Sequence, residues 1–316
     1  MSNIYDVIIL GAGPSGLSTA TYTSRAGLNT LIIEQGLYGG QMNNTADIEN
    51  YTGFEKISGS DLSEKMYQSS LQFGAEYTNE FVEKIEDQGD VKNVITNKNN
   101  YQTKTVVIST GFEYQKINKP GEDLYQGRGV SYCAVCDGNF FKNKHVAVVG
   151  GGNAAIEEST YLANIVSKVT IIHRRDQLRA DKVYAERAFN NPKIEFLFEK
   201  EVVSINGDDQ KLNSLTLVDA KSGEESQLKI DGVFIYIGML PNTSSFKNLD
   251  ILDENGWIIT DQNMKTTIPG IYAVGDVRQN SIGQITTAVG EGSIAGKQIF
   301  DDLQISVDKE LMEKNK

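Results

Sequence analysis

Two glycine-rich loops, each lying between a short apolar segment and a segment of helical pattern, constrain this chain more than any other feature. The first loop, GAGPSG, begins at Gly11 after the apolar run YDVIIL, and the second, GGGNAA, begins at Gly150 after KHVAVV. In both places another apolar segment ends 23 positions after the first glycine, at Glu34 and at His173. The equal spacing predicts two βαβ units, of which the second repeats the first.

The first loop fits the dinucleotide fingerprint G-x-G-x-x-G in the required context, directly after a strand and before a helix. Its glycines allow a tight turn and a close approach of the backbone to a pyrophosphate, which meets free N–H groups at the helix start. Glu34, at the end of the second strand, is placed to accept hydrogen bonds from ribose hydroxyls. The first unit is therefore predicted to bind FAD or NAD.

The second loop fits G-x-G-x-x-A, but its acid position holds His173, followed by Arg174 and Arg175, with Arg179 one turn further on. A carboxylate there would repel a ribose 2′-phosphate, whereas guanidiniums bind one. This unit is predicted to prefer NADPH, the alternative being a solvated basic patch. Two unlike sites in one chain suggest electron transfer between a bound flavin and a diffusible nicotinamide.

Length and charge limit the class of protein and its partners. The 316 residues predict two domains, and a formal net charge of −12 opposes binding to nucleic acid or to anionic membranes. No apolar run approaches the roughly 18 residues that a membrane span needs, and the N-terminus runs straight into a strand. A soluble, cytoplasmic protein is expected.

The only two cysteines, Cys133 and Cys136, form a C-x-x-C motif followed by Asp137. A zinc site needs four ligands, and His145 and His173 are the only histidines that could join the two cysteines; because His173 lies beside the arginines, no metal is expected. Two buried structural cysteines are a further alternative, but a catalytic redox pair is favoured in a cytoplasmic chain. Asp137 is a candidate proton donor to a leaving thiolate, or else a helix N-cap.

Polar breaks at residues 111–123 and 239–245 indicate that the second unit is inserted into the first. The fold class expected is α/β, with two Rossmann-like dinucleotide-binding domains, the second inserted into the first. Residues 206–227 are expected to form a hairpin with solvated turns.

Six motifs occur in the order found in low-molecular-weight bacterial thioredoxin reductases: GAGPSG, GGQMNNTADIENYTGF, CAVCDG, GGGNAAIEE, HRRDQLRA and IYAVGDV. The chain resembles that family over nearly its whole length. The resemblance implies a homodimeric flavoprotein with FAD in a discontinuous domain, residues 1–113 and 244–316. It implies NADPH in a domain of residues 118–240 that carries the C-x-x-C, and thioredoxin as the protein substrate.

The resemblance also assigns roles to residues. Hydride passes from NADPH to FAD and then to the Cys133–Cys136 disulfide; Cys136 faces the flavin and Cys133 exchanges with thioredoxin. Phe140 and Phe141 match an aromatic docking patch for the partner, with a core role as the alternative. The implied flavin site comprises Gly11, Gly13, Pro14, Ser15, Glu34, Gln35, Gly39, Gly40, Gln41, Asn50, Asp276, Val277, Gln284 and Ile285, and the implied nicotinamide site Gly152, Asn153, Ala154, His173, Arg174, Arg175 and Arg179.

Three alternatives use related architecture. The same flavoprotein chemistry could serve another thioredoxin-like protein or a peroxiredoxin. An enzyme fed by ferredoxin or flavodoxin is disfavoured, because it should lack the His-Arg-Arg sequence at residues 173–175. A flavin redox sensor without turnover is the non-enzymatic alternative.

Overall fold

The structure, a computed structural model, describes residues 4–45 and 47–314. The chain divides into two compact units, one formed by Met1–Glu113 with Leu240–Lys316 and the other by Tyr114–Met239. The first unit is therefore discontinuous in sequence. None of the helices within the described ranges combines the length and the hydrophobicity that a membrane span requires.

Both units contain β-strands. They follow one another along the chain as β1 (Tyr5–Leu10), β2 (Thr30–Glu34), β3 (Glu76–Asn79), β4 (Val82–Asp87), β5 (Lys92–Thr96), β6 (Asn100–Ile108), β7 (Phe112–Tyr114), β8 (Val130–Ser131), β9 (His145–Val149), β10 (Lys168–His173), β11 (Ile194–Phe198), β12 (Lys200–Gly207), β13 (Leu212–Asp219), β14 (Glu225–Lys229), β15 (Gly232–Ile235), β16 (Met239–Pro241) and β17 (Ile271–Ala273).

The α-helices lie between consecutive strands of the parallel sheets, except that the last one follows β17. They are α1 (Pro14–Arg25), α2 (Gly59–Leu71), α3 (Ala134–Asp137), α4 (Asn153–Ala163), α5 (Lys182–Phe189) and α6 (Ile285–Lys314), and short 3₁₀ turns occupy Gly40–Asn44, Gly138–Phe141, Ser244–Phe246 and Gly275–Val277.

The main sheet of the first unit has the order β3-β2-β1-β6-β5-β4, with β17 also paired to β6. The pairings among β3, β2, β1, β6 and β17 are parallel, whereas β4, β5 and the start of β6 form an antiparallel edge. Residues 7–10 of β1 are fully buried, as expected for an apolar strand covered on both faces. Helix α1 begins with Pro14, whose fixed φ suits the first helical position.

The second unit repeats this design with a parallel sheet of order β11-β10-β9-β15-β8. The repeat extends to the hydrogen bonds at the loops. The Gly11 N–H donates to the Ile33 carbonyl at 2.8 Å, and the Gly150 N–H donates to the Ile172 carbonyl at 3.1 Å. The first glycine of each loop therefore lies beside the residue that precedes Glu34 or His173. The predicted α/β fold class with two Rossmann-like units is confirmed.

Three segments differ from the sequence-based expectation. Residues 206–227 belong to a three-stranded antiparallel sheet, β12-β13-β14, rather than to a single hairpin. The apolar run TVVIST predicts a strand at residues 105–110, but β6 begins at Asn100, because its polar half pairs with β5 at the sheet edge. The charged end of the chain from Gln298 predicts a helix, but α6 begins at Ile285, despite several glycines.

Candidate redox and dinucleotide sites

The first glycine loop is closed tightly against the end of β6. Gly11 has φ of +102°, and a Cβ there would stand 2.5 Å from the Ser109 carbonyl oxygen. The Ser109 hydroxyl donates to the Leu10 and Gly11 carbonyls at 2.8 and 2.9 Å. Position 11 therefore needs glycine for the conformation and the packing of the chain itself.

Gly13 has no such constraint, because its backbone is extended, with φ −75° and ψ −179°, and a Cβ would meet no protein atom within 4 Å. The same holds for Gly152 in the second loop, with φ −92° and ψ 178°. Both are N-cap residues and lie just before a helix, α1 or α4, where unpaired N–H groups gather. Open space beside an unstrained glycine at a helix start fits a bound pyrophosphate in both units.

Glu34 is held by the first loop. Its two carboxylate oxygens accept hydrogen bonds from the Ala12 and Gly36 N–H groups, each at 2.8 Å. These bonds orient the carboxylate at the carboxyl end of β2, and each oxygen retains a lone pair for a ribose hydroxyl. The neighbouring Gln35 is exposed.

The segment after residue 38 returns to the first loop. The Gly39 N–H donates to the Ala12 carbonyl at 2.8 Å, and a Cβ on Gly40 would lie 3.5 Å from the Gly13 Cα. The Gln41 side chain donates to the Phe112 carbonyl at 3.0 Å. The GGQ turn predicted for the flavin site therefore packs on the glycine loop.

The C-terminal residues predicted for the flavin site also come together in the first unit. A Cβ on Gly275 would stand 2.5 Å from the Ser15 hydroxyl, so the turn carrying Asp276 and buried Val277 lies against the start of α1. Burial raises the pKa of Asp276, the charge of Glu291 adds to the rise, and a 2.8 Å hydrogen bond from Ser281 opposes it.

Two further members of the predicted flavin site touch each other across the sequence. The Asn50 side-chain amide donates to the Gln284 side-chain oxygen at 3.1 Å. Ile285 follows as the first residue of α6. The structure thus brings the loop, the GGQ turn, the turn at Asp276 and the start of α6 into one unit.

In the second unit, the arginine segment is tied at both ends to the glycine loop. At its start, the ring of His173 lies so close to the loop that a Cβ on Gly151 would be 2.5 Å from it. At its end, the Arg179 N–H donates to the Gly151 carbonyl at 2.7 Å, and Asn153 exchanges two hydrogen bonds with Asp181. The segment between is therefore a loop anchored beside the start of α4.

The three arginine side chains of this loop are exposed. Among the described residues, none of the three guanidiniums takes part in an ion pair. Arg174, Arg175 and Arg179 therefore present free cationic groups on the loop anchored to Gly151, where the sequence predicts a 2′-phosphate. Ala154, the remaining predicted member of this site, is exposed in the first turn of α4.

His173 differs from its arginine neighbours, because its side chain is 7% exposed and its Nε2 has no hydrogen-bond partner within the described part of the chain. Burial lowers the pKa of the imidazole, the Gln177 backbone opposes this, and the three nearby arginines lower it further. The ring is consequently neutral near pH 7, and the positive charge of the segment resides on the arginines.

The cysteine pair lies at the start of α3 and is joined as a disulfide, with an S–S distance of 2.08 Å. Cys133 is the N-cap of the helix, and its Sγ accepts the Cys136 N–H at 3.1 Å. Both side chains are half-buried, and Val135 between them is exposed. No group of three or more His, Cys, Asp or Glu side chains in residues 4–45 and 47–314 is arranged to hold a metal ion.

Asp137 is fixed beside the pair by Ser131. The Ser131 hydroxyl donates to the Asp137 carboxylate at 2.6 Å and accepts the Cys133 N–H at 3.1 Å. Burial raises the pKa of Asp137, and the bond from Ser131 partly opposes the rise. Asp137 occupies the N-cap position of the next 3₁₀ turn, but its side chain makes no capping bond there. A carboxyl that holds its proton to higher pH suits a proton donor.

The adjacent residues Phe140 and Phe141 differ in how far they are exposed to solvent. Phe141 is 9% exposed and packs in the core of the second unit, whereas Phe140 is 41% exposed. Of the two phenylalanines predicted for the docking patch, only Phe140 is therefore exposed enough to contact a partner.

Three residues at these sites were not predicted. Ser109 and Tyr236 close the first and second glycine loops from neighbouring strands, and Ser131 holds Asp137. The position after the apolar run of a parallel strand is the only sequence signal that marks Ser109 and Tyr236, because parallel strands end at the same edge of a sheet.

The chain matches a family model described as pyridine nucleotide-disulphide oxidoreductase over residues 5–292. It is 53% identical over 296 residues to a thioredoxin reductase of Bacillus subtilis (strain 168), covering 94% of both chains. It is 51% identical over 294 residues to a thioredoxin reductase of Listeria innocua, covering 93% of this chain and 92% of that one. A crystal structure of thioredoxin reductase from Streptococcus pyogenes MGAS5005 superposes with a TM-score of 0.93 at 49% identity, covering 96% of this chain and 99% of that one.

Proposed function

The chain belongs to the pyridine nucleotide-disulphide oxidoreductase family, and on that basis we propose that it is a thioredoxin-disulfide reductase that uses FAD and NADPH. As a member of the family it uses a flavin and a pyridine nucleotide. The observation that carries the proposal is the Cys133–Cys136 disulfide in the same compact unit as a glycine loop flanked by unpaired arginines. A pair so placed can receive electrons that originate from NADPH and pass them to a protein disulfide.

The cofactors are assigned to the two units by the charge of the side chains at the end of the second strand of each βαβ unit. The first unit, with Glu34 beside its loop, holds FAD, and the second, with Arg174 and Arg175 beside its loop, takes NADPH. FAD and NADPH together supply two-electron hydride transfer when bound. The flavin site is proposed to comprise the fourteen residues named for it from the sequence, and the nicotinamide site the seven named for it.

The cysteines and Asp137 carry out the chemistry on the protein substrate. Two electrons and two protons convert the Cys133–Cys136 disulfide into two thiols. The Cys133 thiolate attacks the thioredoxin disulfide, forming a mixed disulfide and releasing one thioredoxin sulfur, which Asp137 protonates. The Cys136 thiolate then attacks Cys133 Sγ, releasing the second thioredoxin thiol and restoring the Cys133–Cys136 disulfide.

If the first glycine loop binds FAD and the second binds NADPH, a substitution in one loop should weaken the binding of one nucleotide and leave the other unaffected. Gly13→Ala should leave the fold intact, because the new methyl group meets no protein atom within 4 Å. The methyl group would occupy space needed for close approach of the pyrophosphate, so FAD affinity should fall by about tenfold or more. Visible flavin absorbance after purification and after titration with FAD measures the effect.

Gly152→Ala is the matched variant in the other unit, with the same open surroundings. It should retain flavin and lose affinity for NADPH. If Gly13→Ala binds FAD as tightly as the unaltered chain, the assignment of FAD to the first loop is wrong.

Asp137→Asn should lower turnover of thioredoxin by about a hundredfold, within the range that a positioned proton donor contributes. The pKa of Asp137 is raised, so the protonated donor is lost as pH rises through that raised value, and turnover of the unaltered enzyme should fall over the same range. In the asparagine variant, turnover should not fall over this alkaline range, so the alkaline limb of the pH profile should be absent. Its fold should be at least as stable near pH 7, because ionising a buried carboxyl with a raised pKa costs stability as pH rises.

Ser131→Ala provides the control for Asp137. It removes the hydrogen bond that lowers the pKa of this carboxyl, so the alkaline limb should move to higher pH rather than disappear. A limb that persists unchanged in Asp137→Asn would contradict the assignment of Asp137 as the donor.

The partner is tested by NADPH consumption with the organism's own thioredoxins, other thioredoxin-like proteins and peroxiredoxins as alternative substrates. Continuous turnover with thioredoxin, at a kcat/KM well above the other two, is expected. Preference for another disulfide protein would reassign the substrate, and absence of turnover with any of them would favour a redox sensor.

A cytoplasmic homodimer completes the proposal. It is supported by the resemblance to thioredoxin reductases. Light scattering coupled to size-exclusion chromatography tests the dimer.

A further inference from the structure

Tyr236 lies between the second glycine loop and the redox-active helix α3. Its backbone N–H donates to the Val149 carbonyl at 2.8 Å, and its own carbonyl oxygen lies where a Cβ on Gly150 would overlap it. The backbone of Tyr236 is therefore fixed against the strand end and the loop.

The equivalent position of the first unit is Ser109, whose carbonyl packs in the same way on Gly11. The Ser109 hydroxyl stays within its own loop, where it donates to the Leu10 and Gly11 carbonyls. The larger side chain at position 236 instead extends away from the loop. This difference between the repeats belongs to the unit that carries the cysteines.

The Tyr236 hydroxyl accepts the N–H of Ala134 at 2.6 Å. Ala134 lies between the two cysteines, is 1% exposed and is the first residue of α3, so its N–H has no partner within the helix. A buried N–H without an acceptor is costly, and here the acceptor is the side chain of the residue that follows β15.

The phenol remains protonated over the working pH range. Burial, and then the charge of Glu158 on α4, raise the pKa of Tyr236 far above its usual value, with smaller contributions from Tyr114 and Asp137 and an opposing one from the Ala134 N–H. The hydroxyl therefore acts on the backbone of α3 as a neutral group.

The N–H groups of the two cysteines have their own partners. The Cys133 N–H donates to Ser131, and the Cys136 N–H donates to Cys133 Sγ at 3.1 Å. The bond to Tyr236 connects the segment between the cysteines to the sheet through a side chain.

We propose that Tyr236 is a positioning residue for the redox pair: by holding the backbone at Ala134, it keeps the Cys136 N–H directed at Cys133 Sγ. After reduction that N–H stabilises the Cys133 thiolate, which is the attacking form. The proposal rests on the proposed reductase activity, but its first readout does not require turnover.

The test uses the flavin-loaded protein with Cys136→Ser, which leaves Cys133 as the sole thiol because the chain has two cysteines. The pH dependence of Cys133 alkylation by iodoacetamide is compared with and without Tyr236→Phe. The midpoint is expected to rise by about half a unit or more, which lowers the thiolate fraction about threefold at pH below the midpoint. In the chain with both cysteines, Tyr236→Phe should lower kcat with thioredoxin several-fold and leave KM for NADPH unchanged.

Tyr132→Phe is the matched control, because it removes another buried tyrosine hydroxyl, next to Cys133 but bonded to Glu122. It should leave the midpoint unchanged. An unchanged midpoint in Tyr236→Phe, or an equal shift in Tyr132→Phe, overturns the proposal.

If circular dichroism shows that Tyr236→Phe does not fold, 3,5-difluorotyrosine at position 236 preserves the shape and weakens the oxygen as an acceptor. It should shift the midpoint in the same direction by a smaller amount, and no shift would overturn the proposal. Failure of the unaltered chain to reduce any disulfide protein would count against the proposed function, whereas the alkylation midpoint tests Tyr236 by itself.

Discussion

Cys136→Ser is expected to lower steady-state turnover of thioredoxin by about a thousandfold or more, because the second sulfur is needed to resolve the mixed disulfide. Cys133 is left as the only thiol of the chain, so it can attack a partner disulfide, but this chain has no second sulfur to resolve the mixed disulfide and release reduced thioredoxin. NADPH should still bleach the flavin absorbance, since the two dinucleotide sites do not include Cys136. Stopped-flow absorbance and an NADPH-consumption assay separate the two steps.

The trapped intermediate distinguishes the roles of the two cysteines. With Cys136→Ser treated with an activated thioredoxin disulfide, mass spectrometry should detect a covalent one-to-one complex through Cys133. Cys133→Ser should be equally inactive but should trap far less thioredoxin, if Cys133 is the exchanging residue. Turnover that survives in Cys136→Ser would show that the pair does not transfer electrons to the substrate.

The repeated βαβ design could be predicted from the sequence because it depends on local patterns. The strand bounds Tyr5–Leu10 and Thr30–Glu34 are confirmed, since each is a short apolar run that ends at a loop. The equal spacing to Glu34 and His173 is likewise confirmed by equivalent hydrogen bonds from Gly11 and Gly150.

Helix α6 shows why other elements could not be predicted in this way. Its early turns contain Gly292 and Gly296, residues of low helix propensity. A Cβ on Gly292 would overlap the Ser15 carbonyl, and one on Gly296 would lie 2.6 Å from the Tyr22 Cβ. These glycines allow α6 to pack closely on α1, a tertiary contact that the local pattern does not reveal.

The site residues likewise divide into those marked by a local sequence pattern and those that only tertiary contacts bring to the site. Residues within a motif, such as Cys133, Asp137 and Arg174, could be proposed from their neighbours in sequence. Tyr236 is more than 100 positions from Ala134, whose N–H it accepts, so only the folded sheet relates the two. His173 ends its strand as predicted, but its burial depends on the packing of Gly151.

Replacing Arg174 and Arg175 together by alanine should lower the preference for NADPH over NADH by about a hundredfold or more. Each charge-assisted hydrogen bond to a 2′-phosphate contributes about 1.5 to 3 kcal/mol, and about 1.4 kcal/mol corresponds to a factor of ten. Both side chains are exposed on a loop anchored to Gly151, so their removal leaves no buried group without a partner. The ratio of kcat/KM for the two nucleotides, measured at constant ionic strength, reports the change.

The effect should arise almost entirely from NADPH, because NADH lacks the phosphate that the guanidiniums would bind. Arg187→Ala is a suitable control, since this exposed arginine lies in the last turn of α5 and outside the anchored loop. It changes the net charge by one unit and should weaken both nucleotides only slightly through the long-range field, so the preference for NADPH should change far less than in the double variant. An unchanged ratio in the double variant, or an equal loss in Arg187→Ala, would mean that the arginines form a solvated basic patch, and the preference for NADPH would then need another origin.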